Sequence, residues 1–158
     1  IHYDGLIRVP FIWADTPDRV KQGATAAVSG TLDLAPTFLD RASLEPYYGI
    51  QGRSLLPEIG GAEDQGPGSV LIDQEDQRDY FGLDAPIRLR TFVTNRYRMT
   101  IYHGHDWGEI YDLQEDPSEI NNLWDEPSCV GLKADLMEQL ARQQMALTDF
   151  GPLPTKQA

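Results

Sequence analysis

Two runs in which apolar and polar residues alternate, Ile87-Arg88-Leu89-Arg90-Thr91-Phe92-Val93-Thr94 and Arg96-Tyr97-Arg98-Met99-Thr100-Ile101-Tyr102, constrain the fold most, and only Asn95 separates them. A period of two sends successive side chains to opposite faces of an extended chain, a pattern that no helix reproduces. Two such runs across a tight turn predict a β-hairpin. Val70 to Asp73 and Glu109 to Leu113 read as further strands, so the expected core is a small antiparallel sheet of three to four strands, half-buried. Leu132, Leu136, Leu140 and Ala141, with Met137 and Met145, recur at helical spacing between Pro127 and Gly151. This amphipathic C-terminal helix is expected to cover the apolar face of the sheet, giving an α+β arrangement.

The amino-terminal part follows a different pattern. Leu6-Ile7-Arg8-Val9-Pro10-Phe11-Ile12-Trp13 is a nearly continuous apolar run, which predicts a strand buried on both faces of a parallel or mixed sheet. Pro10 has no N–H, so the buried part is expected to start near it, and such a strand needs neighbours encoded elsewhere. Asp33-Leu34-Ala35-Pro36 predicts a helix entry, with Asp33 as the cap and Leu34, Phe38 and Leu39 on one face, ending near Ala42-Ser43. Gly49 and Gly52 bracket a tight path before Arg53-Ser54-Leu55-Leu56-Pro57. From Ile59 to Ser69 glycine and charge dominate, which marks a surface loop and a subdomain boundary.

Composition narrows the function. A net charge of −12 argues against a nucleic-acid partner, because phosphate binding needs clustered Lys and Arg. The same charge repels anionic substrates at long range unless a metal or local Arg reverses the field. The single cysteine, Cys129, excludes an intrachain disulfide framework and a Cys-based zinc site, and an inert thiol near a helix start is the expectation. No apolar run approaches a membrane span, so no membrane partner is expected. The chain opens on Ile1, so it carries no information on a leader, and a soluble cytoplasmic or periplasmic setting is left open.

Among residues that could carry chemistry, His103-Gly104-His105-Asp106 is the most suggestive, since two imidazoles two apart on a strand project to one side. A metal site needs a third convergent ligand, and the only other histidine is His2, so a solvated hairpin loop is the expectation. The charge run Asp73, Glu75, Asp76, Arg78 and Asp79 likewise reads as a solvated loop rather than a cation site. Arg8, inside an apolar run, is expected to be an ion-pair partner, and Arg53 a loop anchor. No Gly-x-Ser-x-Gly elbow or phosphate loop occurs. In Glu109 to Leu123, Asp116-Pro117 ends a strand, and Asp116, Ser118, Asn121 and Asn122 can each accept from nearby backbone N–H groups.

That last stretch, Gly108-Glu109-Ile110-Tyr111-Asp112-Leu113-Gln114-Glu115-Asp116-Pro117-Ser118-Glu119-Ile120-Asn121-Asn122-Leu123, resembles the segment closing the C-terminal subdomain of the sulfatase family. Asp4 to Trp13 resembles the family's strand after its last metal-binding loop. Val28 to Leu39 resembles its Pro-Thr helix, Gly49 to Pro57 its Gly-Arg-Ser-Leu turn, and Tyr97-Arg98-Met99 falls in order between them and the last segment. The resemblance implies an alkaline-phosphatase-like fold, with residues 1–60 ending the α/β catalytic domain and 61–158 forming the antiparallel-sheet and helix subdomain. It implies a sulfuric ester hydrolase of arylsulfatase or phosphonate monoester hydrolase type, with a formylglycine nucleophile and a divalent metal, calcium or manganese. The formylglycine motif, Cys/Ser-x-Pro-x-Arg, does not occur, since Val130, Gly131, Leu132 and Lys133 follow Cys129.

The chain is therefore expected to be a C-terminal piece that holds no nucleophile, metal ligand or cofactor and is inactive alone. Its partner would be an N-terminal catalytic domain and, through it, a sulfate or phosphonate ester. A homo-oligomer contact is a further possible role. Tyr3, Arg8, His103 and His105 are placed at the edge of the substrate pocket. A free-standing assembly module and an independent metal-binding protein are the competing expectations.

Overall fold

Four strands hydrogen-bond in the order β1-β2-β3-β4, every pair antiparallel: β1 (Ser69–Glu75), β2 (Arg88–Thr94), β3 (Tyr97–Tyr102) and β4 (Gly108–Asp112). The computed structural model describes residues 2–63, 66–76 and 86–148. Within them the remaining helices are α1 (Asp4–Ile7), α2 (Leu34–Arg41), α3 (Leu56–Ile59) and α4 (Val130–Ala146). The chain divides into two units, one built from Ile1–Pro10 and Ser69–Gln144, the other from Phe11–Gly68 and Met145–Ala158.

The alternation predicted at Ile87 to Tyr102 sets the register of the first unit. Phe92 faces Met99 across β2 and β3, and Met99 faces Ile110 across β3 and β4. These three side chains are buried with Trp124, Leu136 and Leu140, flanked by Leu71, Tyr97, Leu132 and Met137. Leu136 and Leu140 are one helical turn apart, so α4 covers this face as its spacing predicts. Burying each such side chain contributes about 1.5–3 kcal/mol. The outer edge of β4 is closed by Asn122, whose Oδ1 accepts the N–H groups of Ile110 and Trp124, both at 3.0 Å, while its Nδ2 donates to the Gly108 carbonyl at 3.0 Å. Asp116 Oδ2 accepts the backbone N–H groups of Ile120 and Asn121 at 2.8 and 2.7 Å, so of the four side chains expected to accept in this turn Asp116 and Asn122 are seen to do so.

In the second unit Asp33 takes a role other than the predicted one. It makes no cap to its own helix; Oδ2 accepts the Gly30 N–H and Oδ1 the Arg53 N–H, each at 2.9 Å. Buried Thr37 extends the tie, donating to the Asp33 carbonyl at 2.5 Å and accepting from Leu55 N–H at 3.0 Å. Gly52 sits at φ +86°, and a Cβ there would collide with the Leu32 carbonyl, so only glycine lets the 49–57 turn approach so closely. Arg53 pairs with buried Glu58, the loop anchor expected of it. The helix ends where expected, with Ser43 in the left-handed region at φ +56°.

The predicted strand from Leu6 to Trp13 is absent. Its start is the short helix α1, and residues 8–13 are assigned to no strand. Ile12 is 87% exposed and Val9 63%. A strand is held by a hydrogen-bonded neighbour, none pairs with this segment among the described residues, and Pro10 removes one of its donors.

Candidate functional site

The second face of the sheet, expected to be the solvated one, is buried and polar. Alternation puts Thr91, Arg98, Thr100, Tyr102, Glu109 and Tyr111 on this side, opposite Phe92, Met99 and Ile110. Arg98, Thr91 and Thr100 are each 0% exposed. A buried guanidinium is costly unless paired and hydrogen-bonded, and Arg98 is both. Its Nε donates to Glu119, and its Nη1 donates to Thr100 Oγ1 at 3.0 Å and to Glu109 Oε2 at 3.2 Å. The guanidinium carbon lies 5.0 Å from the Tyr3 centroid and 4.7 Å from that of Tyr111, two rings that meet edge-on beside it.

Residues 2–4 cover this cluster. Asp4 N–H donates to Glu119 Oε2 at 2.8 Å, and Tyr3 meets Tyr111 edge-on at 6.2 Å. His2 Nδ1 lies 2.9 Å from Thr91 Oγ1, which lies 2.8 Å from Thr100 Oγ1. Burial, with the Glu109 carboxylate next, pushes the Tyr102 and Tyr111 phenols well above the usual tyrosine range. Burial also lowers the His2 imidazole. At the far end of β4, the Arg96 guanidinium holds the Asp112 carboxyl below the usual range through bonds of 2.9 and 2.7 Å.

The four residues placed at a pocket edge do not form one cluster. Tyr3 is built into the polar face as the lid on Arg98. Arg8 stands in solvent, its side chain 81% exposed and 3.6 Å from Asp4 one turn back, so the expected ion pair forms, at the surface. His103 and His105 lie in the loop between β3 and β4 and are exposed. Trp107 in that loop is 45% exposed, stacked on Tyr102 at 4.1 Å and 5.7 Å from the His105 ring.

Among the described residues no three His, Cys, Asp or Glu side chains converge on a metal position. Of the acidic run, Asp73 and Glu75 pair with Arg90, at 2.8 Å each. Arg78 and Asp79 lie outside the described residues. Among the described residues the side chains form no site for a divalent metal, and the sequence has no Cys/Ser-x-Pro-x-Arg from which a formylglycine could be made. Among the described residues no helix is long and apolar enough to cross a membrane.

Sequence reasoning missed the Arg98, Glu109 and Glu119 cluster. The signal was available: Arg98 precedes Met99 in the most strongly alternating run of the chain, and Glu119 follows Asp116-Pro117 in the turn.

The chain matches the family model described as N-sulphoglucosamine sulphohydrolase, C-terminal, over residues 1–146. It is 30% identical to an N-acetylglucosamine-6-O-sulfatase from Bacteroides thetaiotaomicron, over 95% of this chain and 27% of that protein. A crystal structure from the same organism, of a protein assigned to the sulfatases, superposes with a TM-score of 0.82 at 27% identity, over 94% of this chain and 32% of that one. A phosphonate monoester hydrolase from Agrobacterium radiobacter shares the fold, with a TM-score of 0.65 at 23% identity over 78% of this chain and 26% of that one. The chain thus spans between a quarter and a third of the length of these relatives.

Proposed function

The chain belongs to the N-sulphoglucosamine sulphohydrolase C-terminal family, and from that premise we propose that it works as the C-terminal part of a longer sulfuric ester hydrolase. In that protein it completes the fold and walls one side of the substrate cleft, while the reacting groups come from residues encoded upstream of Ile1. The observation that carries this reading is the span of the likeness: 95% of this chain aligns with 27% of a sulfatase.

Residues 1–60 then close the α/β catalytic domain and 61–158 form its subdomain. The upstream domain would supply the formylglycine and the divalent metal, calcium or manganese. This chain, lacking Cys/Ser-x-Pro-x-Arg, turns over no substrate alone. Its net charge of −12 disfavours an anionic substrate at long range, so recognition of a sulfate ester on a sugar depends on local cations and donors. At the cleft edge this reading places the exposed Arg8 guanidinium, His103, the His105 ring beside Trp107, and Tyr3. The phosphonate ester reading has the fold alone behind it.

Two experiments test the proposal. Reading the coding sequence upstream of Ile1 should give an open frame containing Cys/Ser-x-Pro-x-Arg, and a stop codon directly before Ile1 would defeat the reading. In the longer protein, His103→Ala with His105→Ala should raise KM for a sulfated sugar several-fold with kcat little changed. Unchanged KM would remove these residues from the cleft edge.

A further inference from the structure

The loop between β3 and β4 ends on an indole that is held in place and left exposed. Trp107 stacks on Tyr102 with ring centroids 4.1 Å apart and planes inclined at 33°, and 45% of the residue stays exposed. Stacking covers one face of a ring, so an exposure near one half leaves the other face to solvent. Tyr102 is itself buried, in a cluster with Ile87 and Leu89, so the indole stands on a packed base. The backbone around it is tied down as well. His103 N–H donates to the Arg88 carbonyl at 2.8 Å, and the Trp124 indole N–H donates to the Asp106 carbonyl at 3.4 Å. Gly108 follows, so close to the Trp124 ring that a Cβ there would collide with it. A ring already ordered in this way loses little side-chain freedom when a ligand settles on it.

What can settle there follows from the neighbours. The His105 ring stands beside the indole, 5.7 Å away and inclined at 48° to it. His103, Gly104, His105 and Asp106 are all exposed and add no apolar side chain. The core of a protein interface is apolar, and a single indole among such residues does not make one. A sugar suits it better. The face of an indole is negative, while the C–H groups on one side of a pyranose are polarised positive by the ring and hydroxyl oxygens, so the two attract. The imidazole nitrogens can donate to or accept from hydroxyls at the rim of that ring, and the Asp106 carboxylate can accept from them.

We propose that Trp107 is a sugar-binding platform, its open face stacking on a pyranose ring of the substrate while His105 meets the hydroxyls at the rim. The proposal rests on the reading of this chain as part of a sulfatase that acts on a sulfated sugar, and it names the residue that grips the sugar.

The charge balance favours this kind of contact. With a net charge of −12 the chain gains nothing from long-range attraction for a sulfate ester, whereas stacking draws affinity from the uncharged side of the same molecule. An ester with no ring forfeits that contribution, so the platform selects sugars over small alkyl sulfates.

Fluorine NMR of the longer protein labelled with fluorotryptophan tests this, the Trp107 signal being identified by its loss in Trp107→Phe. The probes are N-acetylglucosamine 6-sulfate, galactose 6-sulfate and the ringless ethyl sulfate. The signal should differ between light and heavy water, as that of an exposed indole does, and should move saturably with at least one of the sugars and not with ethyl sulfate. In turnover of that sugar Trp107→Ala should raise KM about ten-fold, the factor that roughly 1.4 kcal/mol of lost stacking represents, and Trp107→Phe should raise it less. A signal with no solvent dependence would show the indole covered by upstream residues and would overturn the proposal. A signal unmoved by either sugar would overturn it too, and if the parent still hydrolyses one of them the sulfatase reading stands. A signal that moves with a sugar in a protein that releases no sulfate would uphold the platform and defeat the hydrolase reading. Should Trp107→Ala fail to fold, the parent titration decides alone.

Discussion

Replacing Arg98 by methionine tests the polar face of the sheet most sharply. The side chain is 0% exposed and donates to Glu119, Glu109 and Thr100. Arg98→Met keeps most of the volume and removes every donor, leaving two carboxylates beneath Tyr3 and Tyr111 with no cation. Breaking a buried pair this way costs about 3–5 kcal/mol. At about 2–4 °C per kcal/mol for a domain of this size, the melting temperature should fall by roughly 6–20 °C. Urea unfolding followed by tryptophan fluorescence reads the free energy directly. Adding Glu119→Gln should restore part of the loss, because one of the stranded charges is then gone, and the double-mutant cycle isolates the pair. Arg98→Lys should also destabilise, since a lysine cannot match the planar fork or its contacts with the two rings. A loss of about 0.5 kcal/mol, as expected for an exposed pair like Arg142 with Glu138, would refute the reasoning.

Gly52→Ala should cost more than about 1 kcal/mol, because φ is +86° and the new methyl meets the Leu32 carbonyl, and thermal melts would show it. Asn122→Ala removes the acceptor of two backbone amides and a donor to Gly108, so a loss of about 1–3 kcal/mol is expected in urea titrations, with faster amide exchange at Ile110. The Arg96 bond lowers the Asp112 carboxyl, so its stabilisation is whole above the unfolded carboxyl value of about 3.9 and fades as pH falls through the folded value. Arg96→Ala should therefore narrow the stability difference between neutral and acid conditions, read as the change in urea midpoint with pH.

Where local chemistry decides structure, the sequence was readable. The alternation around Asn95 sets both strands of the hairpin, Leu136 and Leu140 identify the covering helix, and Asp116 with Asn122 announces a side-chain-bonded turn. Long-range partners were not readable. Asp33 has the chemistry of a helix cap, and nothing local says that it will accept from Arg53 twenty positions away. The run from Leu6 to Trp13 has the composition of a buried strand, but composition cannot supply the neighbour a strand needs, and the segment lies unpaired. Arg98, Thr100 and Glu109 read as the wet side of a half-buried sheet because period two reports which residues share a face and not what covers it. Of the site, Tyr3 lies in no motif, and its place over Arg98 is a structural role that only the fold reveals. His103 and His105 were legible as an exposed loop, and their role toward substrate is a matter for kinetics.

Turnover by the purified chain itself tests the central claim most directly. With calcium or manganese added, hydrolysis of an aryl sulfate and of a phosphonate ester should stay at the blank, because no formylglycine motif is encoded between Ile1 and Ala158. Metal-dependent hydrolysis well above the blank would place the chemistry within these residues and contradict the proposal that they serve as the C-terminal part of a larger enzyme.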